Sequence, residues 1–423
     1  MSLFLKNATF IDWQTLDFKI TNIQVDQGVD LPLQFPEIIP DQTPANHIID
    51  CTGLLVTKSF ANAHHHIYSA LSRGMPPPQT PPANFHEKLK YVWWKLDKSL
   101  DLEMIEASAL YAAMVSLKAG VTFVIDHHAS PFAISNSLDV IAQAFDRVGL
   151  SHLLCYEVSD RDGMEKATEG LHHTENYLKY RQGLVGLHAS FTVSDPTMKQ
   201  AALLMQKYNS GVHIHAAEDK YDQEHCQANY SKSVVERLRD FGFLHSPKSL
   251  LVHCLHLDDN EKEILSGSKA WVVENMESNL NNKVGIFDIT AMLERIMLGT
   301  DGMHSNMIRS AQYAYFAGLK VSTYSPADMY RRLRNVHHYL QQNPFKGDGG
   351  NNLVVLDYNS PTTIHRANFA GHFIYGFDAS HVKHVIAGGK LVVNDRRLVL
   401  ADEDEILKFA RQMGDKLWER LRR

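Results

Sequence analysis

Residues 60–68 read FANAHHHIY. A run of small and apolar residues gives way without a break to three adjacent histidines. Sixty residues inside the chain, the triplet is not a terminal affinity tag. It is either a solvated polar turn or a metal site at the end of a buried strand, and recurrence of the pattern decides between them. Short β-type runs that finish on a polar or metal-competent residue occur at 59–66 (SFANAHHH), 121–128 (VTFVIDHH), 151–158 (SHLLCYEV), 184–190 (LVGLHAS), 211–218 (GVHIHAAE), 249–256 (SLLVHCLH), 270–276 (AWVVENM) and 296–302 (IMLGTDG). Stretches of helical character, such as Met104 to Ala119 and Met198 to Tyr208, lie between them. Strands that alternate with helices imply parallel βα units. Eight in succession predict an α/β fold, a (β/α)8 TIM-like barrel, whose active site is built at the carboxyl ends of the strands. The polar residues fall at those ends.

The flanks read differently. Residues 1–57 are short strands broken by QGVDLP and QFPEIIPDQTP, and residues 351 to about 400 are again strands, joined by Gly and Asn-Asp turns. This predicts a small β-sandwich domain formed from both chain ends, 1–57 plus 351–403, beside a barrel of 58–350. A helix over 404–423, acidic at its start and basic at its finish, is expected to pack on the body. The Pro-rich stretch Met75 to Phe85, MPPPQTPPANF, cannot be a central strand. It is expected to lie as a loop over the barrel mouth.

A chain of 423 residues is long enough for a barrel and a smaller domain, and 44% apolar with 21% charged residues is an ordinary globular composition. The net charge of -6 leaves no basic footprint for nucleic acid. No apolar run reaches membrane-spanning length, and the start MSLFLKNATFIDW lacks the regions of a signal peptide. The expected location is therefore cytoplasmic, with neither membrane nor nucleic acid as partner. Cys51, Cys155, Cys226 and Cys254 include no CxxC pair, which argues against a zinc ribbon or a disulfide framework.

In a strand, residues i and i+2 share a face, so His64 and His66 point one way and His65 the other. Two imidazoles fall short of the three protein ligands usual for catalytic zinc. His215, closing VHIH on the fifth strand, and Asp301, in LGTDG on the eighth, complete a set. Imidazole with carboxylate suits one divalent metal ion, zinc first and ferrous iron second. Glu218 follows His215 by three residues and is placed to shuttle protons beside an activated water. His253, ending LLVH, is placed to hydrogen-bond the hydroxide or a developing oxyanion, which leaves His188 to hold the substrate. Singly, each has a plain alternative: a core histidine, a helix-start carboxylate, an aspartate in a turn. Their order on the first, fourth, fifth, sixth and eighth strands is what points to catalysis. Trp93 and Trp94 are candidates to stack on a flat ring, Trp94 first, with at least one of the two in the core. Arg73 either binds an anionic group or pairs with a carboxylate, and one of Asp126, His127 and His128, which end the second strand, is a candidate to face the cavity.

The stretches NAHHHIYSALSRGM, HASFTVSD, HIHAAE, VHCLHLDD, ESNLNNKVG and LGTDGMHSN, spread over nearly the whole chain, resemble the amidohydrolase superfamily. The likeness is to its branch of cytosine deaminase-like, chlorohydrolase-like and methylthioadenosine deaminase-like enzymes. FHEKLKYVWWKLDKSLD, DHHASP and CYEVSDRDG bring it nearest to a group of aminohydrolases within that branch. The resemblance implies metal ligation by His64, His66, His215 and Asp301, proton transfer by Glu218, hydroxide or oxyanion contact by His253 and substrate contact by His188. Members with a carboxylated lysine hold two metals. GLVGLHAS ends instead on His188, so one metal is implied. Two departures stand out: Lys58-Ser59 in place of Pro-Gly before the first motif, and Glu274-Asn275-Met276 in place of His-Asn-Pro, which is expected to put a carboxylate near the mouth. The implied function is hydrolytic deamination of an amino-substituted N-heterocycle (purine, pterin, pyrimidine or triazine-like) through a metal-activated hydroxide. The alternatives are dechlorination, hydrolysis of a cyclic amide or guanidine, or ligand binding without turnover. A small heterocyclic substrate and a homodimer are the implied partners.

Overall fold

The structure, a computed structural model, describes residues 2–288 and 293–422, with the backbone alone at Leu293. Strands β1 (Ser2–Ile11), β2 (Phe18–Asp26), β3 (Ile48–Asp50) and β4 (Leu55–Lys58) precede eight others. These are β5 (Phe60–His65), β6 (Val121–His128), β7 (Ser151–Tyr156), β8 (Val185–Ala189), β9 (Val212–Ala216), β10 (Leu250–His253), β11 (Trp271–Glu274) and β12 (Ile296–Leu298). They are the eight runs read from the sequence. Strands β5 to β7 pair in parallel, as do β8 to β12. Parallel bridges Leu154–Gly183 and Val158–Leu187 join β7 to β8, and His65–Asp301 joins the end of β12 to β5. The ring is thereby closed into a barrel. At the β7–β8 seam a Cβ on Gly186 would lie 2.2 Å from the Tyr156 carbonyl oxygen, so only glycine permits the approach.

Alternate residues of these strands, among them Ala61, Ala63, Phe123, Ile125, Leu153, Val252 and Val273, form one buried cluster together with Tyr339 and Leu340 of helix Pro326–Gln342. The residues between them, such as Val124, Leu154, Ile214, Leu251 and Val272, pack outward with the helices. Burial of both faces explains why the runs read as continuous apolar stretches. One irregularity matters for the site. Ala61 pairs with Phe123 and Asn62 with Val124, but Asp126 pairs with His65, so β5 carries one extra residue against β6. This bulge reverses the parity of the strand: Ala61 and Ala63 face inward below it, His64 and His66 above it.

Strands β13 (Leu353–Leu356), β14 (Val382–Ala387), β15 (Lys390–Asn394) and β16 (Arg397–Leu398) join the first four in one sheet, ordered β16-β15-β14-β13-β4-β1-β2 with β3 on β1. Leu353 and Val355 share a core with Leu3, Leu5 and Val56, while Val354 and Leu356 pack against the main body. The departure at Lys58 becomes intelligible here. Its buried ammonium pairs with Asp348 at 2.9 Å and donates to the Gly349 carbonyl at 2.6 Å.

The C-terminal helix Glu403–Arg422 lies against helix Leu102–Lys118, and Trp418 Nε1 donates to the Leu71 carbonyl at 2.9 Å. It also corrects the first part of the Pro-rich loop, since Met75 to Gln79 share a surface groove with Trp418 and Leu421, while Phe85 at the end of that stretch lines the mouth as expected. The cover comes from the short helical turns that follow, Phe85–Lys88, Leu89–Trp93 and Trp94–Lys98. Among the described residues no helix is long and apolar enough to cross a membrane.

Candidate active site

His64, His66, His215 and Asp301 converge at the carboxyl ends of β5, β9 and β12. His64 Nε2 and His66 Nε2 lie 3.4 and 3.1 Å from Asp301 Oδ1, and His66 Nε2 lies 3.1 Å from His215 Nε2. The far side of each ring shows which nitrogen carries the proton. His66 Nδ1 donates to the His127 carbonyl (2.7 Å), and His215 Nδ1 to the His188 carbonyl (2.9 Å), because a carbonyl can only accept. Their Nε2 atoms are then bare lone pairs facing each other across 3.1 Å, an arrangement that calls for a cation between them. His64 Nε2 has no hydrogen-bond partner among the described residues, and its Nδ1 lies 2.9 Å from His213 Nε2. Donation from His64 Nδ1 to His213, then from His213 Nδ1 to Cys155 Sγ at 3.4 Å, keeps His64 Nε2 bare as well. Three aimed imidazoles and a carboxylate fit a divalent metal ion, each held by an outer partner as such ligands usually are. Without a cation a proton takes its place: burial would lower the His66 pKa, but Asp301 and Glu157 raise it to about 9.

Glu218 lies just past β9, outside this set, with Oε2 3.5 Å from His253 Nε2. Burial, and next the Asp301 charge, hold its carboxyl well above the usual range. His253 Nδ1 donates to Asn279 Oδ1 at 2.8 Å, and burial lowers its pKa, so its Nε2 is an acceptor. In the neutral ring that nitrogen can orient an O–H group. His188 Nδ1 donates to Thr192 Oγ1 at 2.6 Å, since that hydroxyl gives its own proton to the Ala189 carbonyl. His188 Nε2 is left as an acceptor in the cavity. His253 and Asp301 hold left-handed backbones, φ 72° and 52°. Non-glycine residues so held are strained by ~1–3 kcal/mol each and cluster at functional sites.

The cleft is lined by His66, His188, His215, Glu218 and Asp301, with Phe85, Leu89, Trp93 and Trp94 as cover. Trp94 does line it, with the Arg161 guanidinium 5.2 Å from its ring. Arg73 does not: it is exposed and donates to the Tyr111 hydroxyl at 2.9 Å, so its proposed substrate contact is not supported by its placement. Glu274 is also corrected. It points away from the mouth into a buried pair with Arg332, 2.6 Å, whose guanidinium stacks on Tyr324. Lying between the two inward positions, His65 meets Ser305 Oγ at 2.9 Å. The sequence reading missed Glu157, Arg161, Asp97 and Ser278, all lining the cleft. Glu157 had a signal: it follows the apolar end of β7, as the other site residues follow theirs.

A closed parallel barrel with histidines and an aspartate converging on one point at the strand ends defines the class of metal-dependent barrel hydrolases. The sequence model of the amidohydrolase family matches residues 55–341, and the chain belongs to that family. It is similar to the 5'-deoxyadenosine deaminase of Methanopyrus kandleri, 29% identical over 86% of each chain. It is also similar to the 5-methylthioadenosine/S-adenosylhomocysteine deaminase of Desulforudis audaxviator, 26% identical over 99% of this chain and 100% of that one. Among solved structures, an adenosine deaminase from Xanthomonas campestris with bound zinc superposes with a TM-score of 0.82 at 18% identity, covering 98% of both chains.

Proposed function

We propose that the protein deaminates an amino-substituted nitrogen heterocycle by hydrolysis, with 5'-modified adenosines the first substrates to try. Relatives that align over most of their length are named for 5'-deoxyadenosine and 5-methylthioadenosine, which supports the purine class. The observation that carries the reading is Glu218: a partly buried carboxyl, its pKa raised by burial and the Asp301 charge, in the cleft of the metal-ligand cluster but outside it.

His64, His66, His215 and Asp301 would hold the ion, for which zinc is the reading favoured by the ligand types. Such an ion supplies Lewis-acid activation of water near neutral pH. The chain does the rest. Asp301 Oδ1 faces the imidazoles and its Oδ2 accepts from Ser278, so the carboxylate is oriented to take the proton of the attacking water. His253 Nε2 accepts from the remaining O–H and fixes its direction. Glu218 gives its proton to the ring nitrogen beside the amine-bearing carbon and later takes the proton that the added hydroxyl loses as the carbonyl forms, while Asp301 returns the water proton to the departing ammonia. His188 Nε2 accepts from a donor on the substrate, and the aromatic cover excludes water. For the whole chain we keep the division into 1–57 with 351–403, 58–350 and 404–423.

The test is ammonia release by zinc-loaded protein from 5'-deoxyadenosine, 5-methylthioadenosine, guanine, a pterin, cytosine and an aminotriazine. Ammonia and the matching carbonyl product from at least one are expected. No ammonia from any, with chloride or a ring-opened product from a related compound, would sink the deaminase reading.

A further inference from the structure

We propose that His127 is an additional ligand to the metal, held by Glu157, so that four imidazoles and Asp301 surround the ion instead of three imidazoles and Asp301. The inference rests on the metal centre of the proposed deaminase. His127 stands near the carboxyl end of β6, fully buried, and neither of its ring nitrogens has a hydrogen-bond partner among the described residues. A neutral imidazole always presents one N–H and one lone pair, so both are left unmet in the barrel interior, a costly arrangement. Two sets of neighbours can meet them. One ring nitrogen of His127 lies within 4.8 Å of a ring nitrogen of each of His64, His66 and His215. On its other side, Nδ1 is 3.6 Å from Glu157 Oε2, a buried oxygen that also has no partner among the described residues.

The two nitrogens leave an imidazole in diverging directions. With Nδ1 turned to Glu157, Nε2 is the nitrogen turned to the cluster. A small shift that closes the 3.6 Å gap would let Glu157 accept from Nδ1 and leave Nε2 bare, the carboxylate–imidazole–metal arrangement that orients ligands in metal sites. The ring is held in that plane by His213, stacked on it with centroids 4.5 Å apart and 12° between planes. β6 would thus serve the centre twice, through the His127 carbonyl that orients His66 and through the His127 ring. A site this rich in nitrogen favours Zn2+, Fe2+ or Co2+ over Mg2+, Ca2+ or Mn2+.

X-ray absorption on the zinc-loaded full chain, with chelator competition for affinity, tests the proposal. Four imidazoles are expected in wild type and in His65→Gln, and three in His127→Phe. The zinc Kd should rise more than about tenfold in His127→Phe, and about tenfold in Glu157→Gln. Three imidazoles in wild type, or a His127→Phe Kd within twofold of wild type, overturns the assignment and leaves the deaminase reading standing; the wild-type count does not depend on any variant folding. A wild-type chain that takes up no zinc, iron or cobalt overturns both.

Discussion

His64, His65 and His66 share one sequence context and one degree of burial, yet only two of them meet His215 and Asp301. His65 uses its Nε2 on Ser305, so glutamine, which keeps a polar group there, is a mild replacement. His65→Gln should leave zinc content and affinity at the wild-type level. His64→Gln or His66→Gln should weaken zinc binding by more than about a hundredfold, beyond the range usual for an outer partner; chelator competition separates the two outcomes. Glu218 makes the complementary case. As a proton carrier outside the ligand set, Glu218→Gln should lower kcat by about 10²–10⁴-fold while zinc content is unchanged. Retained turnover would mean that Glu218 is not the proton carrier, and lost zinc would make it a ligand.

At the level of the strands, much of the fold was legible. Seven of the eight barrel runs carry at their ends a residue of the cleft or of the histidine cluster, Glu274 of β11 being the exception, and that coincidence of apolar run and polar end is a local signal. What was hidden depends on neighbours in space. The bulge in β5 appears only against β6, and alternation traced from Ala61 without it would have sent His65 inward. Glu274 ends β11 as Glu157 follows β7, but Arg332, distant in sequence, draws Glu274 outward. Arg73 is held by Tyr111 in the same way. Close packing of strand ends yields a prediction of its own. Gly299 follows β12 where a Cβ would lie 2.4 Å from Asn275 Oδ1 and 2.9 Å from both the Cβ and the carbonyl oxygen of His64. That carbonyl receives the Thr300 and Asp301 amides at 3.0 and 3.1 Å. Gly299→Ala should therefore part the ends of β5 and β12, costing about 1–3 kcal/mol of stability and weakening zinc binding along with it. Unaltered zinc affinity would show that the ends can separate without moving the ligands.

On the scale of the whole molecule, the sheet built from both chain ends and the first ligand strand are one stretch of chain, since β4 ends at Lys58 and β5 begins at Phe60. Lys58 is where the two parts are fastened: its ammonium holds the Asp348 carboxylate and two carbonyls of the 348–349 turn, and His337 Nδ1 lies 2.7 Å from the other Asp348 oxygen. Burial would raise the Asp348 pKa, but the neighbouring His337 and Lys58 outweigh it and hold it down at about 2. A carboxylate with a depressed folded pKa adds stability that is present above its ordinary value near 3.8 and is lost as pH falls through about 2. Lys58→Met leaves that buried carboxylate without its main cation, a change that typically costs about 3–5 kcal/mol. Urea unfolding at pH 7 should show a loss of that size, whereas zinc affinity of the folded protein should stay at the wild-type level, because Lys58 contacts the turn and not the ligands. An unchanged urea midpoint would mean that water replaces the ammonium at Asp348; a parallel loss of zinc would mean that the sheet positions the metal strand as well as anchoring it.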